Sequence, residues 1–199
     1  LTMAKSKKEI RITKNEQQLL EGRELIKRHP LFGKLHICAF HVPASELGKN
    51  IPARVSSSSC IYLNKDCDRS PEEWAYLIAH CMLHLSFGHF DAERIPGYWQ
   101  KISEKQQIWV NRYDPGLWNM ACDIFIARFL LDIRFGRSNI SAEKLAVYGS
   151  STDERKIYEY LVTHHIPVKY DDFGTAGEAP GHKFREEARD HRLRHAHHS

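Results

Sequence analysis

The stretch Trp74–His89 reads W-A-Y-L-I-A-H-C-M-L-H-L-S-F-G-H, and its centre sets His80 and His84 four residues apart inside an apolar run. On a helix that spacing puts both imidazoles on one face, one turn apart, where they can grip a single metal ion. The residues just upstream, Ser70-Pro71-Glu72-Glu73, have the makings of a helix start. They supply a capping serine, a proline in the first turn and a glutamate three residues after the cap. Gly88 is a natural stop.

Strand-forming segments precede this helix. Ser59 to Leu63 (S-C-I-Y-L) is followed by Asn64-Lys65-Asp66 as a turn; Ala53-Arg54-Val55 is a second candidate and Leu31 to Val42 a third. A strand directly before a metal helix suits a zincin-type cleft, in which an edge strand pairs with an extended substrate backbone. A plain hairpin under the helix is the alternative. His36 and His41, in the earliest candidate, read as ordinary strand histidines. From Thr13 to Arg28, Leu19, Leu20, Leu25 and Ile26 recur at helical spacing among charges, which predicts an amphipathic helix ending before Pro30.

Downstream, residues 90–112 are polar and aromatic, with Pro96-Gly97 marking a loop. Asp114-Pro115-Gly116 reads as a second cap, opening an apolar helix over Leu117 to Ile133. Its expected core stripe is Leu117, Met120, Ala121, Ile124 and Leu131. A short helical segment at Ser141 to Val147 and a helix over Thr152 to Thr163 follow, the latter turning Ile157, Tyr160 and Leu161 inward. The expected organisation is a basic lead-in over 1–11, one domain over 12–168, and a flexible, basic, histidine-rich tail over 169–199.

Composition narrows the class. The 199 residues are 42% hydrophobic and 27% charged, which predicts a soluble globular domain able to bury a core. No apolar run approaches a membrane span, and the basic N-terminus lacks the apolar centre of a secretory signal, so a cytoplasmic home is expected. Five cysteines (Cys38, Cys60, Cys67, Cys81 and Cys122) make an odd number with no C-x-x-C pair, which predicts reduced thiols. A net charge of +4 does not by itself call for nucleic acid. The basic tail is a candidate docking segment for a protein partner; its His195, His197 and His198 read as polar tail residues that could catch metal adventitiously.

Two histidines supply two ligands, and a site needs at least a third. Asp123 lies within the second apolar helix, where a carboxylate buried without a partner would be costly; a metal or a ligand histidine is one such partner, a helix cap or Arg128 another. Packed across, Asp123 would complete a His-His-Asp set. His89, five residues after His84, is the alternative third ligand. The zinc-peptidase signature is H-E-x-x-H, whose glutamate is the general base. Here Cys81 stands in that place.

The runs I-Y-L-N-K-D (61–66), L-I-A-H-C-M-L-H-L-S-F-G-H (77–89) and W-N-M-A-C-D-I-F-I (118–126) together resemble the bacterial putative metallopeptidase domain, which often precedes a von Willebrand A-like domain. That family shows a strand ending in Y-x-N-P, a helix H-E-x-x-H-x-x-x-x-H and a later helix W-N-x-A-x-D-x-x-I-N. The order and rough spacing match from about residue 12 to 165. The resemblance implies a zincin-like α+β fold, a small, mostly antiparallel sheet packed on the metal-binding helix and further helices. It implies His80 and His84 as Zn²⁺ ligands, Asp123 as the third, His89 as the family's additional histidine, and a peptide or protein in the metal cleft. Cys81 in place of the glutamate and Ala127 in place of the closing asparagine depart from the pattern, and no D-x-S-x-S run occurs in the sequence.

A thiol titrates near ~8.5 and, once ionised beside Zn²⁺, binds the metal more readily than it accepts a proton. Glu73, seven residues before His80, lies roughly 10 Å away along the helix axis, and Glu93 on the following loop is a further carboxylate. The ligand frame of a zinc peptidase is present, and its usual base is missing.

Overall fold

In the computed structural model the described residues are 12–36, 38–47, 50–56, 59–91, 94 and 114–168. The lead-in, Glu93, the Pro96-Gly97 loop and the tail from 169 onward lie outside them.

Helix α1, Lys14–Arg28, opens with a capping box in which Thr13 Oγ1 accepts from Glu16 N while the Glu16 carboxylate accepts from Thr13 N. Its apolar face buries Leu19 and Ile26. A one-turn 3₁₀ segment, Phe32–Lys34, follows. The candidate strand over Leu31 to Val42 therefore begins as a tight turn, and strand β1 occupies only Cys38–Val42. Phe32 explains the turn: its ring is fully buried beside His29 and Phe135, at 4.9 Å from each. Burying a phenylalanine is worth about 1.5–3 kcal/mol, more than strand propensity offers.

Helix α2, Ala44–Leu47, then leads to β2, Ala53–Val55, and β3, Cys60–Asn64. The strand order is β1-β3-β2, with β3 parallel to β1 and antiparallel to β2. The sheet is thus mixed, where a mostly antiparallel one was expected. Residues 43–59 provide the long connection that parallel pairing of β1 and β3 needs. Nor is β3 an edge beside the cleft: it is the central strand, and both its sides are hydrogen-bonded. Its inward residues Ile61 and Leu63, with Ala53 and Val55 of β2, pack on the next helix.

Helix α3, Pro71–Ser86, starts as its sequence dictates, with Ser70 Oγ accepting from Glu73 N and the Glu73 carboxylate accepting from Ser70 N at 2.8 Å. It stops at Phe87, and Gly88 takes φ +65°, a left-handed position that favours glycine. Every residue from Trp74 to His84 is buried, so this helix is surrounded rather than amphipathic. Helix α1 lies along it so closely that a Cβ on Gly22 would come 2.5 Å from Trp74 Cβ.

Helix α4, Pro115–Asp132, is capped by Asp114, whose Oδ1 accepts from Gly116 N and Leu117 N. The expected single stripe is not what buries it. Leu117 and Leu131 are only partly covered, while Trp118, Cys122, Ile126, Ala127 and Leu130 join Met120, Ala121 and Ile124 inside. The reason is that α4 serves two cores. Ile126 and Leu130 join the α1–α3 cluster; Trp118, Met120 and Ile124 join a second cluster with α5, Ala142–Ala146, and α6, Glu154–Thr163. On α6, Ile157 and Leu161 face inward as expected, but Tyr158 is the buried tyrosine and Tyr160 is only partly covered, stacked on His164 at 3.9 Å. Among the described residues no helix is long and apolar enough to cross a membrane.

Candidate metal centre

His80 and His84 project from α3 toward α4, and Asp123 of α4 meets them. All three are essentially fully buried, at 0%, 2% and 1% exposure. His80 Nε2 lies 2.8 Å and His84 Nε2 2.9 Å from Asp123 Oδ1, and the two nitrogens lie 3.0 Å apart. These atoms form a nearly equilateral triangle, the one group of potential metal ligands among the described residues. The other carboxylate oxygen, Oδ2, accepts from Asn119 Nδ2 at 3.0 Å, one turn earlier on the same helix. Asn119 thus fixes the rotation of the carboxylate and leaves Oδ1 to the histidines.

With Asp123 ionised, hydrogen bonding alone does not satisfy this triangle. An imidazole nitrogen either donates or accepts. With Asp123 ionised, two Nε2–H groups would both donate to Oδ1 but face each other at 3.0 Å. Removing one of those protons sets a bare nitrogen against the carboxylate. A cation among the three atoms takes a lone pair from each and removes the conflict. In a tetrahedral zinc site with bonds of about 2.0–2.1 Å, neighbouring ligand atoms lie roughly 3.3 Å apart. The observed edges are a few tenths of an ångström shorter, so a small opening of the triangle suffices. Two nitrogens and one oxygen are also a donor set that zinc accepts.

Electrostatics agree with an ionised carboxylate. Burial pushes the Asp123 carboxyl upward, but hydrogen bonds from His80 and His84 outweigh it and hold it below its ordinary value. Burial lowers the His80 imidazole against the opposing pull of Asp123, so His80 favours the neutral form that a metal requires. Arg128 is not the partner of Asp123: its guanidinium donates to the backbone carbonyls of Leu145, Gly149 and Ser151.

The remaining candidates fall elsewhere. His89, buried at 2% exposure, sits behind His84 with the two Nδ1 atoms 3.2 Å apart, and does not join the converging triangle. Burial, reinforced by the neighbouring His84 and Arg94, pushes its imidazole down to about 2. Cys81, one residue on from His80, is turned into the apolar cluster of Leu19, Trp74 and Ile78. Burial and the nearby Asp123 carboxylate push its thiol far above the ordinary range. Glu73 is held by its cap and by Arg137, 3.5 Å away. His36 lies in an exposed stretch before β1, and His41, exposed on β1, accepts from Arg23 at 2.9 Å.

Two contacts were missed in the sequence. Asn119 stands one turn before Asp123, a spacing that permits their i,i+4 hydrogen bond. The contact of His89 with His84 could have been anticipated from the left-handed turn that Gly88 allows.

A family model described as a putative metallopeptidase domain matches residues 13–197. No curated protein and no solved structure matches the chain.

Proposed function

The chain belongs to the family of putative metallopeptidase domains, and we propose that it binds Zn²⁺ through His80, His84 and Asp123 as a catalytically weakened zincin relative that holds peptide or protein in its cleft. The observation that carries this reading is the buried triangle of His80 Nε2, His84 Nε2 and Asp123 Oδ1, with all edges at or below 3.0 Å.

Zinc in such a site lowers the pKa of a bound water to about 7 and polarises a carbonyl. The protein's own residues divide the remaining work. His80 and His84 bind as neutral imidazoles; Asp123 binds through Oδ1 and offsets one of the two positive charges; Asn119 orients Asp123. A peptidase also needs a base that takes a proton from the attacking water and returns it to the leaving amine. Cys81 supports the weakened reading, because a thiol kept protonated inside an apolar cluster accepts no proton. Glu73 is engaged in its capping box.

Burial of all three ligands favours a second reading. In it the metal is structural, pinning α3 to α4, and the domain is a non-catalytic protein-interaction module. The two are separated by measuring zinc content and cleavage of an unfolded protein substrate for the native chain, for Cys81→Glu and for a His80→Ala, His84→Ala double variant. Near-stoichiometric zinc that the double variant loses, with cleavage only by the glutamate variant, supports the weakened-peptidase reading. Zinc bound with no cleavage by either, when Cys81→Glu retains its fold, supports the structural one. Full peptidase activity of the native chain that chelation stops would refute both readings.

A further inference from the structure

We infer that His89 is a positioning residue for the metal centre: its Nδ1 accepts the Nδ1–H of His84 and so presents the Nε2 lone pair of His84 toward Asp123. This rests on the zinc reading above.

The geometry is set by the end of α3. Gly88, in its left-handed conformation, turns the chain back so that His89 N donates to His84 O at 3.0 Å. The His89 ring then meets the His84 ring edge-on, centroids 5.1 Å apart at 82°, with the Nδ1 atoms at 3.2 Å. The His89 ring is also held in place, edge-on to Trp118 and to Phe125, and its backbone carbonyl accepts from Trp118 Nε1. His89 is therefore a fixed partner on the side of His84 that faces away from the triangle.

A contact between two ring nitrogens has room for one proton. If His89 Nδ1–H donates, His84 carries its own proton on Nε2, where Asp123 Oδ1 at 2.9 Å accepts it. If His84 Nδ1–H donates instead, His84 Nε2 is bare and His89 carries its proton on Nε2. Only the second assignment lets His84 bind a metal through Nε2. The first suits the metal-free protein, because His89 Nε2 has no hydrogen-bond partner among the described residues and a bare nitrogen is cheaper to bury than an unpartnered N–H. Metal loading thus reverses one hydrogen bond. The His84 proton goes from Nε2 to Nδ1, the His89 proton goes from Nδ1 to Nε2, and this pair releases none.

The test is nitrogen NMR of the full chain labelled with ¹⁵N-histidine, with and without ¹¹³Cd²⁺ as the probe ion. In the loaded protein the Nε2 resonances of His80 and His84 are expected to split by coupling to cadmium. His89 should show no splitting and a proton on Nε2, and should carry that proton on Nδ1 when the metal is removed. Splitting at His89 would make it a ligand and overturn the inference, as would a loaded His89 that keeps its Nδ1 proton. A chain that binds no cadmium would overturn this inference and the zinc reading together. In a parallel titration, His89→Gln, which retains an acceptor, should keep cadmium affinity within a few-fold, while His89→Leu should lose roughly 10–100-fold. Equal affinity in the two variants, whether kept or lost, would overturn the acceptor role.

Discussion

His80 and Asp123, 43 residues apart in the sequence, meet with Nε2 and Oδ1 2.8 Å apart where α3 passes α4. Two helices that share few other polar contacts are joined there by buried groups that hydrogen bonds do not fully satisfy.

Asp123→Asn keeps the shape of the side chain and removes its charge. The variant should lose zinc affinity by more than the roughly 10–100-fold typical of losing an outer-shell partner. Asn119→Leu, which removes only the hydrogen bond to Oδ2, should fall within that 10–100-fold range. Competition against a chromophoric chelator ranks the two. An Asn119 effect as large as that of Asp123 would contradict the roles assigned.

Metal binding should stabilise the fold, since the site joins α3 to α4 only in the native state. Free zinc at 1,000 times its dissociation constant would add about 4.1 kcal/mol by mass action. The apparent melting temperature should rise with zinc, fall back with chelator and not respond in the His80→Ala, His84→Ala variant. A zinc response retained in that variant would place the ion elsewhere.

Cys81 and Cys122 are buried, and burial pushes both thiols well up. Neither should be alkylated by iodoacetamide at neutral pH in the native protein, and both should react once it is unfolded, as peptide mass spectrometry would show. Fast labelling of Cys81 in the folded chain would place its thiol in an accessible cleft and reopen its candidacy as a base.

Glu16 offers a pH signature remote from the metal. Hydrogen bonds from Thr13 N and then Lys65 lower its carboxyl from 4.5 to about 2. A depressed folded-state pKa means its contribution is fully present above the unfolded value and is lost as pH falls from 4.5 through about 2. Glu16→Gln should therefore melt below the native chain at neutral pH, with the gap closing over that acid window. A gap independent of pH would mean that the cap does not depend on the charge.

Much of the local architecture was legible in advance. Ser70 and Asp114 each begin the helix that their spacing announced, because capping is decided within three residues of the cap. The burial of Phe32 was not legible, because its partner Phe135 lies far along the chain and overrode the strand-like composition around it. The same holds for the parallel pairing of β1 with β3, which depends on where residues 43–59 return the chain.

Taken by itself, the sequence determined that His80 and His84 share one face of a capped helix, since four residues span little more than one turn. Only the tertiary structure decided which third group they meet. The packing of α4 brought Asp123 Oδ1 into the triangle and left Arg128 on backbone carbonyls. It also decided that Cys81, about 100° further round the helix, faces the apolar cluster, and that His89 backs His84 instead of joining the ligands. A helix's own periodicity fixes angles between its side chains; what each angle points at is set by the neighbours that burial of apolar surface brings against it.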